Sequence, residues 1–372
     1  MEKQKPSQRP CLREIISSVV FIAFIGVFFV LNLIIPAPAV LVSERRVPAK
    51  FPEFSMTTVS SGTFMGKFDN YASDRFVFRD ILRGLNSFVI FNIYQQTDKS
   101  GLYRSSNVGI GEFRRTNATA FRQTTERIKR AAESLSDYDM NIYYSVVPDK
   151  STFAERYMPG FDLTTAETVL LDMLGEYEYI RVADQLWAGA FYKTDLHWDQ
   201  SQIYATANHI LSSMGADHAP GGHTEVTAGE FRGVYAGQIA LPVDADIMNY
   251  IEVAGLKVSY LSEKTLQFED GPAYDTERFA GVDPYDLFLR GPQPLIVIEN
   301  ASAPDRELYL FRDSFGSSLA PILACSYSKI TVIDLRYLNL MLLPQFIEFR
   351  QGADVLFIYS SQIFNNPSIL QA

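Results

Sequence analysis

One run dominates the hydrophobic pattern of the chain. Residues 15–35 are apolar except for Ser17, Ser18, Gly26 and Asn32, and no charge falls between Glu14 and Glu44. A run of about 20 apolar residues matches the hydrocarbon thickness of a bilayer. It also exceeds the roughly 7–15 residues of a cleavable signal core. The pattern predicts a transmembrane helix over 15–35 behind a cytoplasmic tail, 1–14. Lys3, Lys5, Arg9 and Arg13 precede it and favour an inside N-terminus with the remainder exported. Arg45, Arg46 and Lys50 beyond it weaken that asymmetry. Ala37-Pro38-Ala39 resembles a small-x-small cleavage site, so a cleaved signal is the second reading and a buried core helix the third.

Beyond this run the period changes. Residues 36–52 are Pro-punctuated and aperiodic, which predicts a linker before a domain over 53–372. Between 64 and 91, apolar side chains from Phe64 to Val89 recur in steps of mostly three or four, which predicts a helix. Polar-faced helices are expected over 117–137, 164–178 and 199–214. Between and after them lie β-rich runs at 142–147, 179–182, 295–299, 308–311, 330–333 and 355–359. Several are continuously apolar, as strands covered on both faces require. The alternation of helix and strand predicts a three-layer α/β fold around a parallel sheet. Residues 215–290, rich in Gly, Asp, Thr and Tyr, interrupt the alternation. They read as an insertion over or beside the sheet edge, with a strand-like piece at 256–260.

Composition narrows the function. The chain has 372 residues and a formal charge of -10, which gives no electrostatic support for nucleic-acid binding. Its 20 Tyr and 27 Phe suit sugar-binding grooves as well as ordinary cores. The 2 Cys, Cys11 and Cys325, fall on opposite sides of the predicted span and build no disulfide framework. Asp217, His218 and His223 lack the spacing or partners of a metal site, and no cofactor motif is present.

Two segments carry candidate chemistry. Thr194-Asp195-Leu196-His197-Trp198 supplies an acid and an imidazole, and Phe311-Arg312-Asp313-Ser314-Phe315-Gly316 supplies a hydroxyl. In an extended segment, residues two apart point to one side, so Asp195 can fix the tautomer of His197 while His197 takes the Ser314 proton. Ser314 falls between a strand pattern and a short helix over 316–326, where backbone N–H groups meet a developing oxyanion. Plain helix capping is the competing reading for the Asp-Ser pair and for Asp195. Arg336 and Tyr359, at the ends of later strands, are further candidates for an oxyanion or a sugar hydroxyl. Pairing with a nearby carboxylate is the alternative for Arg336.

Together these residues resemble the DHHW proteins of bacteria, relatives of the AlgX/AlgJ alginate O-acetyltransferases with an SGNH-hydrolase-like fold. The likeness rests on Thr-Asp-x-His-Trp with a downstream Asp-Ser-Phe. It extends to Ser43-Glu44-Arg45-Arg46, Tyr71-Ala72-Ser73-Asp74-Arg75-Phe76, Phe78-Arg79-Asp80, Val147-Pro148-Asp149-Lys150 and Tyr285-Asp286-Leu287-Phe288-Leu289. The sequence departs from the pattern at Leu196, where His or Thr is usual. The resemblance implies a flavodoxin-like sheet, circularly permuted because the Asp-x-His segment precedes the Ser. It implies Ser314 as nucleophile, His197 as general base and Asp195 as orienting acid. It also implies acetyl transfer to an exported polysaccharide, with a membrane-bound O-acyltransferase as partner. A carbohydrate esterase or deacetylase using the same relay, and a non-catalytic glycan-binding scaffold, are the alternative functions.

Overall fold

The computed structural model describes residues 11–155, 160–219 and 223–371, so most of the expected cytoplasmic tail lies outside the described residues. The chain divides into two compact units, residues 1–86 and 87–372.

In the first unit, α1 (Leu12–Ile34) is 23 residues long, opens on a capping box between Cys11 and Glu14, and is long and apolar enough to cross a membrane. Short α2 (Met56–Ser60) starts at the Ser55 cap and leads to α3 (Thr63–Arg75) and α4 (Arg79–Phe88), which continues two residues past the unit boundary. The single helix expected over 64–91 is therefore broken. The Val77 N–H donates to Asn32 Oδ1 of α1 at 2.9 Å, outside any helix ladder. Phe76 stacks on Phe28, and Phe78 takes a left-handed φ of 59° that turns the chain into α4. The expected linker is fastened as well. Leu41 bridges Arg46, and Arg46 forms a bidentate pair with Asp74 of α3 at 2.6 Å.

The second unit opens with a small antiparallel sheet that the apolar pattern did not announce. It holds β1 (Asp98–Lys99), β2 (Leu102–Ser105) and β3 (Gly109–Glu112). Then follow α5 (Ala118–Glu133), β4 (Asn141–Val147), α6 (Leu163–Leu174), β5 (Glu178–Tyr179) and α7 (Tyr204–Ser213). The next stretch brings β6 (Thr224–Phe231), α8 (Val234–Ile239), β7 (Asp246–Glu252), β8 (Lys257–Leu261), β9 (Phe268–Gly271) and α9 (Thr276–Phe279). Last come β10 (Leu295–Glu299), β11 (Glu307–Arg312), α10 (Ser314–Leu323), β12 (Lys329–Ile333), β13 (Asp354–Ser360) and α11 (Ser361–Phe364).

The main sheet has eight strands in the order β5-β4-β13-β11-β12-β10-β8-β9. The first five are mutually parallel; β10, β8 and β9 extend the sheet antiparallel. The sheet is thus mixed rather than all parallel. The stretch read as an insertion is partly sheet, through β8 and β9, and partly the separate ribbon of β6 and β7. Alternation along the central strands feeds two cores. Leu308, Leu310, Leu356 and Ile358 pack with α7 and α10; Tyr309, Phe311, Val355 and Phe357 pack with α5 and α6. Helices on both faces of continuously buried strands make the three-layer fold that the alternation predicts.

Candidate active site

The carboxyl ends of β4, β11 and β13 meet at one edge of the sheet, where open α/β folds place their ligands. Each end contributes a polar group. At the end of β11, Asp313 caps α10: its Oδ1 accepts from the Phe315 N–H at 3.0 Å and its Oδ2 from the Ser360 N–H of β13 at 2.8 Å. That carboxylate ties helix and neighbouring strand together and leaves Ser314 as the first helical residue. Capping therefore accounts for Asp313 and not for Ser314. Gly316 is needed here because a Cβ would sit 2.4 Å from Arg312 Cβ.

The Asp-x-His segment approaches from the other side as a tight loop closed by the Phe191–Trp198 bridge and the Tyr192 N–H to His197 carbonyl bond at 3.1 Å. Thr194 and Lys193 donate backbone N–H groups to Asp246 at 2.7 and 2.8 Å. Beneath the loop, the buried Lys150 ammonium, just after β4, donates to the carbonyls of Tyr192 at 2.7 Å and Asp195 at 2.9 Å. Burial pulls the Lys150 pKa down to about 8 against the opposing pull of Asp195, Asp149 and Asp246.

The loop brings three side chains into line. His197 Nδ1 lies 2.7 Å from Asp195 Oδ1, and His197 Nε2 lies 2.8 Å from Ser314 Oγ. Asp195 is fully buried; its Oδ1 also accepts from the His197 N–H at 3.2 Å and its Oδ2 from the Val234 N–H at 2.9 Å. An ionised carboxylate accepts only, so this network assigns the proton to Nδ1 and leaves Nε2 to accept from the Ser314 hydroxyl. Val234 opens α8, and Gly233 before it must be glycine: a Cβ there would fall 2.3 Å from Asp195 Cβ. The stretch read as an insertion thus reaches the site through the backbone of Val234 and the carboxylate of Asp246.

The imidazole is also held face-on. Tyr285 stacks on His197 with centroids 3.7 Å apart and planes 6° from parallel. Its hydroxyl donates to Ser318 Oγ at 2.8 Å, which also accepts from Trp198 Nε1 at 2.8 Å. Burial keeps the Tyr285 phenol neutral by pushing its pKa well above the ordinary value. The N–H groups of Phe315 and Gly316 are both taken by Asp313. That leaves the Ser314 N–H, at the first helical position, with no bond among the described residues, as the first donors of a helix usually are.

Among the described residues, no hydrogen bond joins the two remaining candidates to this line. Arg336 pairs bidentately with Asp334, Nε to Oδ1 at 2.8 Å and Nη2 to Oδ2 at 2.6 Å. Burial opposes its charge, but the Asp334 bonds outweigh that and raise its pKa. Asp334 also holds the fully buried Arg312 at 3.1 Å. The carboxylate pairing, not a free guanidinium, describes Arg336. Tyr359 is completely buried in the cluster that holds Phe311 and Phe357, with no hydrogen bond to its hydroxyl among the described residues. His218 bonds the Ser212 hydroxyl, and the His223 ring lies tilted against Tyr204 with centroids 4.4 Å apart.

Sequence reasoning missed Lys150 and Tyr285 as parts of the site, although both lie in quoted motifs. The signal was a lysine directly after an apolar strand, a place where an exposed charge has no reason to sit. Nothing in the spacing of Tyr285 points to an imidazole.

No protein-family model matches the chain, and no curated protein does. Solved structures do. A DHHW family protein from Eubacterium siraeum matches over 72% of this chain and 93% of its own, at 18% identity and a TM-score of 0.59. PatB1 from Bacillus cereus, solved with a sulfonyl adduct, matches over 70% of this chain and 94% of its own, at 16% identity and a TM-score of 0.58. The O-acetyltransferase domain of Pseudomonas putida AlgJ covers 71% of this chain and 92% of its own, but at 10% identity and a TM-score of 0.42 the superposition is too loose to argue from. Identities this low speak for the fold, and the fold is the DHHW-like one that the motifs led us to expect.

Proposed function

We propose that the protein is a membrane-anchored O-acyltransferase in which Ser314 carries the acyl group, His197 moves the proton and Asp195 holds the imidazole. The observation that carries this reading is the continuous hydrogen-bonded line from Asp195 through His197 to Ser314. Ser314 Oγ attacks the acyl carbonyl of a donor ester while its proton passes to His197 Nε2. The Ser314 N–H receives the oxyanion. Collapse expels the donor alcohol, which takes that proton, and leaves an ester on Ser314. An acceptor hydroxyl then gives its proton to His197 and its oxygen to the acyl carbon, and the Ser314 hydroxyl is restored.

The resemblance to polysaccharide O-acetyltransferases supports acetyl as the group and an exported or cell-envelope polysaccharide as the acceptor. In this reading α1 holds the chain in the membrane, the second unit works outside the cytoplasm, and a membrane-bound O-acyltransferase delivers the acetyl group. PatB1, which shares the fold, forms a sulfonyl adduct, and sulfonyl reagents are a natural probe of an activated serine hydroxyl.

The test is intact-mass measurement of the full chain with an activated acetyl ester. The wild type should gain one acetyl group and Ser314→Ala none. With candidate oligosaccharides present, acetylated sugar in excess of free acetate supports transfer, and acetate alone supports the esterase. A wild type that never gains the group, beside a Ser314→Ala strain that still acetylates its glycan, would leave the scaffold reading.

A further inference from the structure

The helix α4 is amphipathic, with its two faces used in reverse of a soluble domain. One face carries Arg79 and Arg83, and both already pair with Glu44, at 2.5 and 3.1 Å. The other carries Ile81, Leu82 and Leu85, which are 69%, 40% and 58% exposed. Phe76 and Phe78, at the corner before α4, are 39% and 50% exposed. In water an apolar stripe at this spacing turns inward and the charges turn out. Here the charges are satisfied within the first unit and the stripe is bare.

The position of that stripe is fixed relative to α1. Val77 is bonded to Asn32 and Phe76 stacks on Phe28. Asn32 lies two residues before the end of α1, about 3 Å along the axis at the usual helical rise. A groove of about 850 Å³ between α1 and α3, lined by Phe24, Phe28, Phe68 and Phe76, continues the same apolar surface. If α1 spans a bilayer, the corner at residues 76–78 falls where hydrocarbon gives way to headgroups. Aromatic rings and amphipathic helices concentrate at that level.

We infer that the first unit is a lipid-contacting platform: the Ile81–Leu82–Leu85 face of α4 and the Phe76–Phe78 corner are seated in the headgroup–acyl boundary of the leaflet from which α1 emerges. The inference rests on the membrane-anchor reading above. Its occupant is lipid, because the surface is continuous with the spanning helix and its charges are already paired within the unit.

The experiment uses the full chain in a Cys11→Ser, Cys325→Ser background, reconstituted in phosphatidylcholine–phosphatidylglycerol vesicles. Single cysteines replace Val27, Asp80, Ile81 or Leu85, all exposed positions, and carry an environment-sensitive fluorophore. Labels at 81 and 85 should be quenched several-fold more by lipid bearing a nitroxide near the glycerol than by aqueous iodide, and the label at 80 should show the reverse. The label at 27 should be quenched by nitroxide near the chain ends. Loss of that last signal overturns the anchor itself. Quenching at 27, with 81 and 85 open to iodide, overturns the platform and leaves the anchor. Quenching at 27, with 81 and 85 shielded from both quenchers, also overturns it, since protein then covers the stripe.

Discussion

In the unit built on the eight-stranded sheet, Leu308, Leu310, Leu356 and Ile358 have no exposure, and helix α5 turns Phe121, Ile128 and Ala131 into the core. In the first unit the corresponding comparison runs backwards. Asp74 is 4% exposed, while Phe54, Ile81 and Leu85 are more than half exposed. Both α4 and α5 have helical apolar spacing, so periodicity locates a stripe without saying what covers it. A sheet with layers on both faces supplies its own apolar medium; in the platform we infer, the helix that follows a bilayer-length span borrows one from lipid.

Four measurements break or sharpen this contrast. The largest effect is expected at the relay. Ser314→Ala should abolish acylation with the melting curve unchanged, since a half-buried hydroxyl on a capped helix contributes little to the core. His197→Ala should nearly do so, and Asp195→Asn should slow acylation on the order of 10⁴-fold, the size seen in the best-studied Ser-His-Asp relay. Intact-mass kinetics with an activated ester read all three. A clearly lowered melting temperature for the Ser314→Ala chain would show that site and core are not separable.

Next comes Lys150. Lys150→Met strips the donors from two buried carbonyls and should destabilise the second unit by roughly 2–4 kcal/mol, read by denaturant unfolding. The pH dependence gives the sign. The Lys150 pKa falls from 10.5 to about 8 on folding. Between those values the unfolded chain binds a proton that the folded chain does not. Stability should be flat below pH 8 and rise toward pH 10.5, by on the order of 3 kcal/mol. The Met variant should lose this rise; an identical slope in both proteins would exclude Lys150 as its source.

A smaller effect belongs to Asp74. The Arg46 hydrogen bonds hold its carboxyl at about 2, below the ordinary 3.8, against burial. Its contribution is present above pH 3.8 and lost as pH falls toward 2, roughly 2 kcal/mol in all. Asp74→Asn should expose residues 41–49 to proteolysis at neutral pH in membranes, leaving Ser314 acylation intact. Smallest of all, Tyr285→Phe keeps the ring on His197 and removes the hydroxyl from Ser318, at about 1 kcal/mol of stability. Acylation should fall less than tenfold, whereas Tyr285→Leu, which removes the stack, should cost more. If the two variants match, the stack does not position the imidazole.

Much of the second unit was legible in sequence. The runs at 295–299, 308–311, 330–333 and 355–359 fall on β10, β11, β12 and β13, because strands buried on both faces need continuous apolar residues. The setting of Ser314 was readable because a strand-to-helix turn fixes a direction; Asp195 and His197 do meet, but in a tight loop where the His197 N–H folds onto Asp195 Oδ1, not in the extended segment expected. Three features were not readable. The break between α3 and α4 depends on Asn32, which is 45 positions from Val77. The antiparallel extension through β8 depends on pairing with β10, which local propensity does not encode. For Arg336 the sequence left two readings open, and what decides between them is the geometry of the turn after β12, which brings Asp334 onto its guanidinium.

Asp313 has a consequence for how such chains diverge. Its two oxygens satisfy two different buried N–H groups, one on α10 and one on β13, so a substitution must re-satisfy both at once. Ser314 carries no comparable architectural duty. Over evolutionary time the two neighbours are therefore under separate pressures: a descendant that abandoned the chemistry could drift at the position of Ser314 and still need the aspartate to close its sheet. Among remote relatives, an aspartate at this turn would mark inheritance of the architecture, and only the serine after it would mark inheritance of the reaction.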